Sequence, residues 1–206
     1  MNTYIYPPLT EWFELSNRPT KETQDLQQIV LNVFDEIQNK KDKALIELTE
    51  KFDNVKLSNL YVSEQEIEEA KSLITDDLKN AIQLAAANIE KFHSAQQEEI
   101  KIIETTKGVN CWRESRGIEN VGIYIPGGTA PLFSTVLMLG IPAKLANCKN
   151  ITLCTPPNKE GKINPAILYT ADLIGINTIY KIGGIQAIGA LTFGTETIEK
   201  VDKIFG

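Results

Sequence analysis

The hydrophobic rhythm of the chain changes once, near residue 99. Before that point apolar residues recur every three or four positions; after it they come in short blocks closed by glycine or proline. From Glu22 to Phe52, residues Leu26, Ile29, Val30, Val33, Phe34 and Ile37 fall on one helical stripe. Asn39–Asp42 interrupts the stripe, and Ala44, Leu45, Leu48 and Phe52 resume it. Ser63 and Glu66 have the spacing of a capping box, which predicts a helix through Ile67 and Ala70. A longer helix is predicted over about Asp76–Gln97, with Leu78, Ile82, Ala85, Ala86, Ile89 and Phe92 on its buried face. Residues 1–20 form a lead-in with Pro7, Pro8 and Pro19, where Trp12, Phe13 and Leu15 are apolar enough to dock on the body of the chain or on a partner.

Beyond Glu99 the period shortens. Ile100, Ile102, Val109 and Cys111, extended to Ser115, alternate with polar residues around Thr105–Gly108, and a β-hairpin is predicted. Arg116-Gly117 turns the chain into a buried strand, Val121–Ile125, which Pro126, Gly127 and Gly128 stop. Thr129, Ala130 and Pro131 lead into an apolar helix, with Pro131 at a first helical position. Asn150–Thr155 is a second strand, closed by Pro156-Pro157, and Asn164–Ile174 a helix. Asn177–Ile182 is a third strand, closed by Gly183-Gly184; Ile185–Phe193 is a short helix, and Val201–Phe205 begins a fourth strand. Alternation of this kind gives right-handed crossovers and a parallel sheet, so the fold class is α/β. The division is a helical segment over 1–98 and a hairpin plus α/β domain over 99–206, with no internal repeat.

Ligands of such sheets bind beyond the carboxyl ends of the strands, where both Gly-Gly turns fall. Backbone N–H groups at a helix start suit an anion. The same junction also serves merely to turn the backbone, and neither G-x-G-x-x-G nor G-x-x-x-x-G-K-[ST] is present. Two such turns converging on one edge favour a pocket over either turn alone.

Composition narrows the functional classes. A net charge of −6 and the lack of a basic stripe exclude a long nucleic-acid interface. No apolar run is long enough to cross a bilayer, and the first residues lack a signal-peptide pattern. Cys111, Cys148 and Cys154 are odd in number and lack C-x-x-C spacing, reading as small core residues in a reducing, cytoplasmic setting. His93 is the one histidine and has no ligand pair around it, so it reads as structural or solvent-facing. Glu196 and Asp202 adjoin Lys200 and Lys203, which suggests surface pairing. No catalytic and no metal-ligating residue is assigned from the residues themselves.

The runs VGIYIPGGTAPLFSTVLMLGIPAKLANCKNITLCTPP, KIGGIQAIGALTFGTE and KVDKIFG, with NIEKFHSAQ upstream, resemble histidinol dehydrogenase. The resemblance covers essentially the whole chain and is densest over 116–206. It implies a cytoplasmic enzyme of histidine biosynthesis that oxidises L-histidinol to L-histidine through an aldehyde, reducing two NAD molecules. It further implies zinc, an intertwined homodimer, and an incomplete Rossmann-like sheet in an aldehyde-dehydrogenase-like fold. Carried over by motif, the NAD-contacting tyrosine of Y-I-P-G-G falls on Tyr124 and the NAD-contacting glutamine of G-G-x-Q-A on Gln186. By residue type alone, Tyr124 reads as a buried strand aromatic and Gln186 as a residue finishing a helix start. Members of that family are about twice as long. Their zinc ligands, proton-handling glutamate–histidine pair and further NAD-contacting asparagine are expected past Gly206, so the chain is expected to be an inactive fragment. Two other readings follow. One is another NAD-dependent dehydrogenase of aldehyde-dehydrogenase-like fold, which needs a cysteine nucleophile. The other is a non-catalytic, self-associating fragment with an exposed sheet edge.

Overall fold

A computed structural model describes residues 3–17, 24–128 and 130–206. The expected helix start at Glu22, and Pro19 and Thr129, lie outside the described residues. In chain order come α1 (Leu9–Ser16), α2 (Gln24–Lys40), α3 (Asp42–Asp53), α4 (Glu64–Leu73) and α5 (Asp76–Ser94). A hairpin, β1 (Ile103–Thr106) and β2 (Val109–Cys111), precedes β3 (Asn120–Tyr124), α6 (Phe133–Leu145), β4 (Asn150–Cys154), α7 (Pro165–Leu173), β5 (Thr178–Tyr180), α8 (Gly184–Phe193) and β6 (Lys203–Phe205).

The apolar blocks of the second half become one parallel sheet in the spatial order β5-β4-β3-β6. Counting only these strands, the order is third, second, first, fourth, which matches four of the six strands of a Rossmann-type sheet. The strand period of two sorts side chains between two layers. Val121, Ile123, Leu153 and Ile179 face the core shared with α4, α5, α6 and α7. Cys154 and Tyr180 face the core shared with α2, α3 and α8, and Tyr124 packs against it. Gly122 lies under α8: a Cβ there would come within 3.0 Å of Leu191 Cδ1 and 3.1 Å of Val201 Cγ2.

Helices α2–α5 are the outer layers of this sheet. Lys41, with φ of 55°, separates α2 from α3 at the interruption seen in the sequence. The Ser63–Glu66 capping box is formed: the Ser63 hydroxyl accepts from the Glu66 N–H and the Glu66 carboxylate accepts from the Ser63 N–H. The segment before α4 covers the β5 edge. The Val62 N–H donates to Ile179 O at 2.9 Å, and the Lys181 N–H donates to Leu60 O at 2.7 Å. Lys181 also reaches Glu66, with Nζ to Oε1 at 2.6 Å.

Some expectations need correction. Leu26, Ile29 and Phe92 belong to helical stripes but are exposed, because among the described residues no partner element covers those ends of α2 and α5. Pro131 precedes α6 rather than opening it; the cap is Leu132. Residues 100 and 102 precede β1, and both hairpin strands are exposed throughout. Cys111 is exposed on β2 rather than in a core. The lead-in contains α1, none of whose residues is buried, so among the described residues nothing covers Trp12, Phe13 or Leu15.

Candidate dinucleotide site

The strands run parallel, so their carboxyl ends and following turns gather on one edge. The connections run outward from β3 through β4 to β5, then return to β6 on the other side of β3. The crevice at such a reversal is where α/β sheets hold ligands, and here it lies beyond the ends of β3 and β6. Gly206 continues β6 beside Tyr124, and a Cβ on it would lie 2.8 Å from the Tyr124 carbonyl oxygen.

Both Gly-Gly turns close on a single ring. A Cβ on Gly127 would lie 2.6 Å from Pro156 Cγ, and one on Gly183 would lie 2.5 Å from Pro156 Cβ. Real Cβ atoms do not approach that closely, so each glycine is there for space. Gly183 itself is extended, with φ of −127°. Gly184 differs, with φ of 58°, the left-handed region that favours glycine. Gly128 has open space where a side chain would project. Gly127, Gly128, Pro131, Pro156, Asn158 and Asn164 line a cavity of about 230 Å³ beside these turns. A larger groove of about 670 Å³, lined by Lys144, Asn147, Asn150, Asn177 and Thr178, opens at the opposite, amino-terminal edge of the sheet. Parallel sheets do not present their ligands there, and neither glycine turn reaches it.

Tyr124 and Gln186 are brought together around Gly184. The Tyr124 hydroxyl accepts the Gly184 N–H at 2.9 Å, leaving the phenol proton free to donate. Gln186 sits in the first turn of α8 and is 2% exposed. Its Nε2 donates to Asp53 Oδ2 at 3.2 Å. Burial raises the Asp53 carboxyl above its ordinary value. Replacing Tyr124 with phenylalanine removes the acceptor of the Gly184 N–H and is expected to cost about 1 kcal/mol, read from urea unfolding. No change in midpoint would mean that water serves that N–H equally well.

The other candidate groups lie elsewhere. His93 Nδ1 is 2.8 Å from Gln96 Oε1, near the end of α5. Glu196 and Asp202 do not pair with the neighbouring lysines. Glu196 accepts from the Asp42 N–H at 2.9 Å, and Asp202 accepts from the Asn120 N–H at 3.0 Å and its Nδ2 at 2.9 Å, because both carboxylates face backbone donors. Cys154 is buried, and burial pushes its thiol well above its ordinary value, which leaves no thiolate for nucleophilic attack. Among the described residues no group of three or more His, Cys, Asp and Glu comes together to hold a metal. The residues present therefore do not fit zinc, whose sites take three or four such ligands.

Sequence reasoning missed Asp53 and the role of Pro156. The pattern held a signal for the second: a proline closing the middle of three strands whose neighbours both end in Gly-Gly. Asp53 had none, since only the packing of α3 on α8 brings it to Gln186.

Comparison with known proteins adds the following. The family model described as histidinol dehydrogenase matches residues 16–206. A histidinol dehydrogenase of Bacteroides thetaiotaomicron is 53% identical over 206 residues, covering 100% of this chain and 48% of that protein. One from Campylobacter jejuni is 50% identical over 194 residues, covering 94% of this chain and 44% of the relative. A crystal structure of histidinol dehydrogenase from Elizabethkingia anophelis superposes with a TM-score of 0.93 at 69% identity, covering 100% of this chain and 48% of that one. The chain spans about half the length of the curated relatives it matches.

Proposed function

Because the chain belongs to the histidinol dehydrogenase family, we propose that it supplies the dinucleotide-binding part of an enzyme that oxidises L-histidinol to L-histidine through the aldehyde. The observation that carries this reading is the Tyr124–Gly184–Gln186 grouping beyond the carboxyl ends of β3 and β5, on the residues that the family resemblance marks for NAD. The open space over Gly128, next to a helix start, fits an elongated phosphate-bearing cofactor. NAD, when bound, supplies the hydride acceptor. The chain's own part is to hold and orient it: Tyr124 offers a phenol proton, Gln186 a carboxamide, and Pro156 fixes the spacing of the two turns. No proton transfer is assigned to these residues, and no metal step, because a ligand set is lacking among the described residues. The free cysteines support a cytoplasmic setting, and no described helix is long and apolar enough to span a membrane.

The test is direct. The purified 206-residue chain, mixed with L-histidinol and NAD, is expected to yield no NADH and to lose zinc on dialysis, while titration calorimetry detects NAD binding. Turnover by the chain alone would overturn the division of labour.

Self-association as a homodimer is the second part of the reading. Phe13 is 81% exposed on α1, and Ile102 and Trp112, at 66% and 58%, flank the hairpin. Apolar groups presented on two projecting segments favour a second protein surface over water. Light scattering reports the mass directly, and a monomer at all concentrations would count against it.

A further inference from the structure

Asp53 is placed badly for stability. It is the last residue of α3, at the negative end of the helix dipole. It is half-buried, and among the described residues no lysine or arginine forms an ion pair with it. Its one side-chain partner there is Gln186. A half-buried carboxylate without a cation costs free energy, and such costs concentrate at functional sites.

The chemistry of the contact fixes an orientation. A carboxylate only accepts, so the Gln186 atom facing it is Nε2. The carboxamide oxygen then lies on the Gly184 side: Oε1 is 3.1 Å, and Nε2 3.8 Å, from where a Cβ on Gly184 would stand. Across that turn the Tyr124 hydroxyl has its proton to give. The first turn of α8 thus carries one oriented acceptor beside one donor.

We propose that Asp53 is a positioning residue of the dinucleotide site. It holds the Gln186 carboxamide with its oxygen toward Gly184, so that Gln186 recognises a hydrogen-bond donor of the cofactor, a ribose hydroxyl or an amide N–H, and not a phosphate oxygen. The proposal rests on the cofactor reading of Gln186 given above. It explains why a carboxylate sits where an apolar residue would be more stable.

Two variants separate the roles: Asp53→Leu removes the acceptor, and Asp53→Asn restores one. In the isotopically labelled chain without ligand, the Gln186 side-chain amide signal is expected to shift and lose exchange protection in Asp53→Leu and to recover in Asp53→Asn. The thermal midpoint of Asp53→Leu is expected to be unchanged or higher, whereas its NAD affinity falls about tenfold and returns in Asp53→Asn. Gln186→Ala is expected to lose as much, and the double variant no more than either single one. A Gln186 signal indifferent to Asp53, or a fall in thermal midpoint matching the loss of affinity, overturns the proposal. If the unsubstituted chain gives no heat with NAD, the cofactor reading falls and the ligand half of the proposal falls with it; the amide signal still decides whether Asp53 orients the carboxamide.

Discussion

Lys181→Met is expected to destabilise the chain by about 3 kcal/mol. The Lys181 side chain is 9% exposed and that of Glu66 23%, and their atoms meet at 2.6 Å. Removing the ammonium strands a carboxylate that is also tied to the start of α4, whose other oxygen accepts from the Ser63 N–H and hydroxyl. Breaking one side of such a pair costs more than the pair contributes, since the remaining charge stays largely out of water. The Lys181→Met/Glu66→Leu double variant is therefore expected to recover most of the loss. Burial raises the Glu66 carboxyl, but the hydrogen bond and charge of Lys181 and the Ser63 donors outweigh it and hold the group below its ordinary value. The folded state thus favours the ionised form. Its contribution is complete above the unfolded value of about 4.5 and is lost as pH falls through the lower, folded value. Glu66→Gln should flatten that acid limb. Urea unfolding between neutral and acid pH measures both effects; equal midpoints for Lys181→Met and the parent would remove the pair from the account.

Gly183→Val is expected to abolish measurable NAD binding and to cost about 2–3 kcal/mol. The cause is steric, because the backbone at Gly183 is extended and open to any residue. Its first side-chain carbon would meet Pro156 Cβ at 2.5 Å and Pro156 Cα at 3.2 Å, and a proline on a strand end has little freedom to retreat. The turn that carries the Gly184 N–H and Gln186 must then move off the sheet. Gly128→Ala is the control: nothing lies within 4 Å of its Cβ position, so stability should hold. Calorimetry and thermal unfolding on both variants test this. A valine variant that binds NAD normally would show that the Pro156 contact does not set the geometry of the turn.

The strands and their order of connection were legible because each is a short apolar block with its own stop signal. Alternation from Val121 onward and the Pro and Gly closures leave little choice of boundary. The Ser63–Glu66 cap was legible for the same local reason. What the sequence did not disclose depends on contacts between distant segments. Phe92 has the helical spacing of a buried residue, but burial needs a neighbour, and periodicity names none. Glu196 and Asp202 looked like partners of adjacent lysines, yet backbone donors at Asp42 and Asn120, far away in the chain, claim them. At the candidate site, the family motifs single out Tyr124 and Gln186. Their meeting at Gly184, and the Asp53 contact, arise only once α3 and α8 pack on the same face.

Gly122 sets the fidelity of all this. Strands β3, β4 and β5 assign alternate residues to opposite layers, so sliding β3 by one position would exchange its faces completely. Ile123 would then be driven toward Leu191 and Val201, which already crowd the place of a single methyl group. The misaligned pairing is excluded by collision before any lost hydrogen bond is counted. The phenol two residues further on therefore owes its station to a position that carries no side chain at all.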